Sequence, residues 1–260
     1  MLEIKKILKE HFTIFVIIFL IYALGVYLVS EKPLFQEVKE LEKTGTLFGL
    51  SMNATVILLW ISLYLLYRWN KTNRKNLTNF IWGISFLLYS IVFIGMMLEA
   101  LGVEWANSKR PEIFFIFREF QILWAAGMYL GISKILTKSR ILQFLPTILI
   151  LILGYSWFYH GLLNVKDIEY TMYGFLYGIW IPLCVFLGYL FFLYSKRSKL
   201  IAPKYIALGF IAIAFTYTYW APWHLTKFYL ICFFTYILAL IPLLIGFLLI
   251  PYESKAKGIE

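Results

Sequence analysis

The apolar residues of this chain fall into eight blocks that are separated by short polar segments. Each block is at least 18 residues long, and a helix of that length crosses the roughly 30 Å hydrocarbon core of a bilayer. The pattern therefore predicts eight transmembrane helices. They lie near residues 12–29, 47–67, 80–101, 113–133, 141–162, 171–194, 205–223 and 228–250.

Composition supports the same class. The chain of 260 residues is 62% hydrophobic and only 15% charged, with a mean hydropathy of +0.78, whereas about a quarter of the residues of a soluble domain are charged. We therefore expect an all-α polytopic membrane protein. A bundle of about eight helices would form one transmembrane domain over residues 1–260, with no soluble domain, in a lipid bilayer.

The net charge of +10 could indicate nucleic-acid binding, but the basic residues are distributed as the positive-inside rule describes. With a cytoplasmic N-terminus, the inner segments hold Lys5, Lys6, Lys9, Arg68, Lys71, Arg74, Lys75, Lys134, Lys138, Arg140, Lys196, Arg197, Lys199, Lys204, Lys255 and Lys257. The outer loops hold fewer bases, namely Lys32, Lys39, Lys43, Lys109, Arg110, Lys166 and Lys227. We expect both termini to be cytoplasmic, the cell (plasma) membrane to be the location, and no nucleic-acid partner.

The first block resembles a signal peptide in its basic start. Its apolar stretch is about 18 residues long and the sequence YLVSEK that follows is a poor cleavage site, so an uncleaved helix is the favoured interpretation. The alternative, cleavage, would leave seven helices.

Small residues predict where helices approach one another closely. Gly127 and Gly131 form a GxxxG pair in the fourth block, and Gly174 and Gly178 form another in the sixth. Such pairs favour packing inside the bundle. Pro146, Pro182 and Pro242 lie within three blocks and are expected to bend them.

The fourth block carries charges that a transmembrane helix rarely has. Arg118 and Glu119 follow its start at Ile113 by five and six residues, which is roughly 8–9 Å at 1.5 Å per residue. Arg118 could extend its side chain to the interface. Glu119 points about 100° away and needs a wet cavity, a partner or a proton. Gln121 shares the Arg118 face.

Polar and aromatic residues of other blocks fall at a similar predicted depth. An aromatic belt at the interface explains most of the Trp and Tyr residues, but it does not explain Asn53, Glu119 and Gln121. We expect an outward-opening cavity that binds a ligand. Its expected lining is Asn53, Glu99, Arg118, Glu119, Gln121, Trp124, Tyr217, Trp220 and His224. The alternative is structural, with Arg118 bridging helices to Glu99 and no ligand involved.

Metal and cofactor chemistry receive little support. His160 and His224, with Asp167 and Glu169 nearby in sequence, could hold zinc or copper, but interface histidines beside Trp and Tyr are usually amphipathic residues. Cys184 and Cys232 lie inside apolar blocks. We expect no metal and no cofactor.

Three function classes remain open. The first is a protein that binds or senses a small ligand and signals through a membrane or cytoplasmic partner. The second is a transporter or channel for a small solute, which would need polar residues through the cytoplasmic half, where they are sparse. The third is an intramembrane enzyme that uses Glu119 or His224 as acid or base, and an enzyme is the less favoured interpretation. The sequence does not identify the ligand.

Overall fold

The protein is an all-α bundle. The computed structural model describes residues 38–72, 75–100, 111–165, 168–218 and 229–256. Its helices are α1 (Val38–Lys71), α2 (Leu77–Ala100), α3 (Pro111–Leu136), α4 (Arg140–His160), α5 (Ile168–Phe175), α6 (Ile181–Ser198), α7 (Ala202–Thr218) and α8 (Tyr229–Ala256). Two π-helical segments, Gly161–Val165 and Leu176–Trp180, follow α4 and α5.

Five of the described helical segments are long and apolar enough to cross a membrane. They are Phe48–Lys71, Leu77–Leu98, Arg140–Leu163, Thr171–Ser198 and Phe234–Ser254. Helix α3, which carries Arg118, Glu119 and Lys134, and α7, with 17 residues, are not among the five, although both pack within the bundle. The first predicted span, 12–29, lies outside the described residues, so the number eight stays a prediction.

Six helices form a closed ring. Each of α1, α2 and α3 packs against the next, α3 contacts α6, and α6, α7 and α8 continue the series until α8 returns to α1. Helix α4 packs outside the ring against α3 and α5. Many apolar side chains of α4 are exposed, for example Ile141, Leu145 and Leu153, as expected for a helix that faces lipid.

Small residues set the tightest helix contacts. A side chain on Gly127 would meet Ser85, and one on Gly131 would meet Trp82, both in α2. The prediction that this GxxxG pair packs inside the bundle is therefore confirmed. In the second pair, Gly174 lies against Trp157 of α4, whereas no described residue lies within 4 Å of the position that a side chain on Gly178 would take. For Gly178, packing inside the bundle stays a prediction.

Pro182 accompanies a change of helical register rather than a simple bend. It has no backbone N–H to donate, and the residues before it, Leu176–Trp180, form a π-helical turn. The N–H of Ile181 donates to the carbonyl oxygen of Leu176, five residues back. Trp180 at the end of this turn is fully buried, so the π turn brings its indole ring into the ring of helices.

Side chains join the helices at one end of the bundle. Arg197 Nη1 donates to the carbonyl oxygen of Leu136 at 3.1 Å, which ties the end of α6 to the end of α3. Lys199 takes a left-handed conformation with φ of 59° between α6 and α7. Glu253 Oε2 of α8 accepts from the backbone N–H groups of Ile201 and Ala202 at 2.8 and 2.9 Å, and thereby caps the start of α7.

Candidate functional site

One face of α3 places polar side chains inside the ring. Arg118, Gln121 and Trp124 follow one another at intervals of three residues and therefore lie along one side of the helix. They are 8%, 0% and 0% exposed. The close contacts of Gly127 and Gly131 with α2 hold the next turns of α3 against the core, so this face is directed inward.

Arg118 and Glu119 are adjacent in sequence but face different surroundings. Arg118 Nη2 lies 3.9 Å from the sulfur of Met96 in α2, and its guanidinium is within electrostatic range of the Tyr236 hydroxyl in α8. Glu119 is half-buried and interacts electrostatically with Tyr155 of α4, outside the ring. Arg118 therefore enters the interior of the bundle, while Glu119 faces the groove between α3 and α4.

Aromatic rings from four other parts of the chain surround this face of α3. Tyr89 of α2 stacks on Trp124, with ring centroids 4.4 Å apart and an interplanar angle of 18°. Trp180 lies 5.3 Å from Trp124, and Tyr217 of α7 meets Trp180 edge-on at 6.1 Å. The Tyr236 hydroxyl donates a hydrogen bond to the Tyr89 hydroxyl. Helices α2, α3, α7 and α8 thus meet the π turn at one point.

Several polar atoms at this point have no hydrogen-bond partner in the described part of the chain. They are both side-chain atoms of the Gln121 amide, the indole nitrogen of Trp124 and the indole nitrogen of Trp180. A buried polar group left without a partner costs about 1–3 kcal/mol, and native proteins rarely tolerate several together. We call Tyr89, Arg118, Gln121, Trp124, Trp180, Tyr217 and Tyr236 the interior polar cluster.

The cluster begins with Arg118, roughly 8 Å along the helix from the predicted bilayer surface, and reaches the middle of the bilayer. Trp124 follows the start of the predicted span at residue 113 by eleven residues, which corresponds to roughly 16 Å along a helix, about half the hydrocarbon thickness. Between Trp124 and the loop that joins α3 to α4, buried aromatic side chains fill the interior of the helix bundle. They are Trp82, Phe86, Phe191, Phe210 and Phe247.

The residues predicted from sequence are distributed unevenly. Arg118, Gln121, Trp124 and Tyr217 belong to the interior polar cluster. Asn53 is exposed, and its Nδ2 donates to the carbonyl oxygen of Gly49 in its own helix at 2.8 Å. The Glu99 side chain, Trp220 and His224 lie outside the described part of the structure.

Three members of the cluster were not predicted from sequence. Tyr89, Trp180 and Tyr236 each lie well inside an apolar block rather than at its end. An aromatic belt places Tyr and Trp at the interfaces, so a tyrosine or tryptophan near mid-span is itself a signal of an interior polar site.

Among the described residues, no group of three or more His, Cys, Asp or Glu side chains could hold a metal ion. His160 is exposed and its ring lies 6.1 Å from that of Trp157. Its suggested partner His224 lies outside the described residues.

Comparison with known proteins identifies no relative. The chain matches no protein-family profile, no curated protein and no solved structure at a significant level of similarity. Functional inference therefore depends on the chemistry of the interior polar cluster.

Proposed function

We propose that this membrane protein binds a small molecule at the interior polar cluster and passes the resulting change in helix packing to a partner protein. The supporting observation is the Gln121 amide. It is fully buried, and neither its nitrogen nor its oxygen bonds to any described residue. A ligand that supplies the missing hydrogen bonds would remove the cost of burying these groups.

The contacts of Tyr89 suggest how binding would be transmitted. Its ring stacks on Trp124 and its hydroxyl accepts from Tyr236 of α8. A molecule that accepts a hydrogen bond from the indole N–H of Trp124 would have to separate or shift this stack, because the rings of Tyr89, Trp124 and Tyr236 are all buried. The shift would reach α8, which packs on both α1 and α7. A ligand changes an equilibrium only through such differential contacts.

Transport of a small solute is the second candidate. Discontinuous helices surround the binding sites of many transporters, and here a π-helical turn followed by Pro182 supplies Trp180 to the cluster. Against transport, the interior below the cluster, towards the loop between α3 and α4, is occupied by buried aromatic side chains such as Phe86 and Phe247. Sensing therefore receives more support.

Intramembrane catalysis has the weakest support. The residues that would act as acid or base are Glu119 and His224. Glu119 faces α4, away from the interior polar cluster, and His224 lies outside the described residues.

We further propose a location in the cell membrane with both termini in the cytoplasm. The positive-inside distribution of Lys and Arg supports this orientation. The contact between Arg197 and the Leu136 carbonyl supports it further, because it brings two of the basic loops to the same end of the bundle. A basic surface at that end would suit an acidic partner protein.

Thermal unfolding of the full chain in nanodiscs, with a panel of small metabolites, tests the binding proposal. A ligand should raise the melting temperature of the natural chain and of Asn53→Ala, and should not raise that of Gln121→Leu. Asn53 is the matched control because it was predicted from sequence to line the site but is exposed. A response that depends on Asn53 and not on Gln121 would reject the interior site. Uptake of the same ligand into proteoliposomes would favour transport over sensing.

A further inference from the structure

Four buried atoms of the interior polar cluster lack hydrogen-bond partners in the described part of the chain. They are the amide nitrogen Nε2 and the amide oxygen Oε1 of Gln121, and the indole nitrogens of Trp124 and Trp180. Tyr236 already bonds to Tyr89, and Arg118 has contacts of its own, among them one to the Met96 sulfur. The requirements that a ligand must meet are therefore set by these four atoms.

The four atoms differ in the kind of hydrogen bond that they require. An indole N–H and an amide nitrogen only donate, whereas an amide oxygen only accepts. The three nitrogens therefore need acceptors, and Gln121 Oε1 needs a donor. A carboxylate offers acceptors alone and would leave Oε1 without a partner, while an ammonium group offers donors alone and would leave the three nitrogens without partners. An uncharged group that both donates and accepts satisfies the whole set.

The Gln121 amide determines how the donor and the acceptor must be arranged. Its nitrogen and oxygen belong to one planar group, so a partner that meets both must carry an acceptor and a donor side by side. An N–H next to a carbonyl group, as in a lactam, has this arrangement and can form two parallel hydrogen bonds with the amide. A second carbonyl on the other side of the N–H, as in a cyclic imide, provides further acceptor positions for the indoles.

The aromatic rings around these atoms select the body of the ligand. Tyr89 stacks on Trp124, with ring centroids 4.4 Å apart and an interplanar angle of 18°, and Phe210 stacks on it at 5.6 Å. Trp180 lies 5.3 Å from Trp124. All four side chains are fully buried. A flat apolar body that takes the place of one ring would keep such stacked contacts, whereas a hydrated ion would lose its water here.

We infer that the interior polar cluster recognises an uncharged lactam or cyclic imide on a flat apolar body. The N–H of this head would donate to Gln121 Oε1, and the neighbouring carbonyl would accept from Gln121 Nε2. The remaining carbonyl lone pairs would accept from the indoles of Trp124 and Trp180. Residues three apart on a helix have Cβ atoms about 5–6 Å apart, so one small ring reaches both Gln121 and Trp124. The inference depends on the proposed function, because it names the ligand class of the same site.

A set of matched probes tests the inference on the full chain in nanodiscs. Phthalimide carries an N–H between two carbonyls, and isoindolin-1-one carries an N–H beside one carbonyl. N-methylphthalimide keeps both carbonyls without the N–H, and 1-indanone keeps one carbonyl with CH₂ in place of the N–H. Isoindoline supplies the same fused body as a cation, and benzoate supplies an anion. Affinity is measured by calorimetric titration at a mildly acidic pH, at which phthalimide is uncharged, and by the shift in melting temperature.

The probes that carry an N–H beside a carbonyl should bind most tightly. Isoindolin-1-one should bind roughly tenfold more tightly than 1-indanone, because CH₂ in place of the N–H leaves Gln121 Oε1 without a donor. N-methylphthalimide, isoindoline and benzoate should each bind at least roughly tenfold more weakly than phthalimide for the corresponding reason. Gln121→Leu should abolish the binding of phthalimide and isoindolin-1-one, and Asn53→Ala should leave it unchanged.

Trp180→Phe tests the role of the second carbonyl. The substitution keeps an aromatic ring and removes one indole N–H. It should therefore lower the affinity for phthalimide towards that for isoindolin-1-one, and should affect isoindolin-1-one less. An unchanged ratio of the two affinities would show that the Trp180 indole does not bond to the ligand, and the inference would be overturned even if Gln121→Leu failed to fold.

The remaining outcomes separate this inference from the proposed function. If 1-indanone, isoindoline or benzoate binds as tightly as isoindolin-1-one, with a response lost in Gln121→Leu, the site stands and the lactam or imide inference falls. If no probe binds while a metabolite of the panel raises the melting temperature in a way that depends on Gln121, the inference alone falls. If neither probes nor metabolites give a response that depends on Gln121, both proposals fall.

Discussion

At the scale of single residues, Arg118 and Glu119 are adjacent in sequence, but their side chains lie in different environments. Consecutive side chains of a helix diverge by about 100°, and here that angle sends Arg118 towards Met96 inside the ring and Glu119 towards Tyr155 outside it. The sequence alone left Glu99 as the structural alternative to a ligand for Arg118. Because the two side chains lie on different faces of α3, neither a direct contact nor a shared hydrogen-bond network between Arg118 and Glu119 is expected.

We therefore predict that Arg118→Leu and Glu119→Gln have additive effects on stability. Changes at sites without shared partners add to within about 0.5 kcal/mol. The measurement is a double-mutant cycle on the free energy of unfolding in detergent. The same cycle with Glu99→Gln tests the alternative in which Arg118 bridges two helices. A coupling well above that limit between Arg118 and Glu119 would contradict the placement of the two side chains on different faces of α3.

Gln121 allows a second prediction, because Gln143 is a natural control. Both glutamines are buried, but Gln143 Nε2 donates to the carbonyl oxygen of Thr137 at 2.7 Å. Replacing Gln121 with Leu should raise the free energy of unfolding of the ligand-free protein by about 1–3 kcal/mol, since an unsatisfied buried amide is removed. Replacing Gln143 with Leu should lower it, because the Thr137 carbonyl loses its donor.

Chemical denaturation of the ligand-free protein in mixed micelles measures both effects. Equal destabilisation by the two substitutions would mean that Gln121 already has a partner in a part of the chain outside the described residues, and the binding proposal would lose its main support.

The sequence predicted part of the interior polar cluster for a simple reason. Arg118, Gln121 and Trp124 belong to one helix, so helical periodicity alone places them on one face. Tyr89, Trp180 and Tyr236 come from three other segments, and their meeting depends on the order of the helices around the ring, which hydropathy does not encode. Asn53 was predicted to join the site because it is polar, but its amide instead bonds to its own helix backbone, a local option that Asn often takes.

At the scale of helices, the two GxxxG pairs differ in what they contact. In the second pair, Gly174 packs against the Trp157 ring, while no described residue covers the position above Gly178. Trp157 is itself fixed by a hydrogen bond from its indole N–H to the carbonyl oxygen of Thr171 at 2.8 Å. The motif alone could not distinguish the two glycines. A spacing of four residues places both on nearly the same face of a helix, but it does not indicate where the neighbouring helix ends.

The second pair therefore provides a matched test of packing. Gly174→Leu should displace Trp157, break its hydrogen bond to Thr171 and lower the free energy of unfolding by about 1–3 kcal/mol, the usual cost of overpacking. Gly178→Leu should leave it within about 0.5 kcal/mol of the natural value. Thermal unfolding followed by tryptophan fluorescence reports both. A larger loss from Gly178→Leu than from Gly174→Leu would show that the helix carrying Gly178 meets a neighbour that the described contacts do not include.

The π turn before Pro182 is the element that the sequence signalled least. A proline inside an apolar block predicted a bend, and a bend can be produced by several hydrogen-bond patterns. The observed pattern, with Ile181 bonded to Leu176, adds a residue to one turn and rotates Trp180 into the interior. Turns of this kind often occur at functional sites, which agrees with the position of Trp180 in the interior polar cluster.

At the scale of the whole molecule, the orientation in the membrane can be tested with single cysteines. The loops that hold Lys138 and Lys199 lie at the same end of the bundle, as the contact from Arg197 to Leu136 requires, and Tyr159 lies at the far end of α4. All three positions are exposed.

In a background in which Ser replaces Cys184 and Cys232, a membrane-impermeant maleimide should label cysteine at 159 in intact cells. Positions 138 and 199 should be labelled only after permeabilisation. Labelling at 138 from outside would reverse the proposed orientation.

The contact that closes the ring has a consequence for biosynthesis. Tyr64 of α1 is buried against Leu248 and Tyr252 of α8, and roughly 180 residues separate the two helices along the chain. At about 5–20 residues per second, synthesis of that stretch takes on the order of ten seconds or more. During this interval the Tyr64 face of α1 has no α8 to pack against and must be accommodated by lipid or by the insertion machinery. A ribosome that stalls before α8 therefore releases an open bundle, whose uncovered α1 face distinguishes it from the finished protein for the proteases that clear incomplete membrane chains.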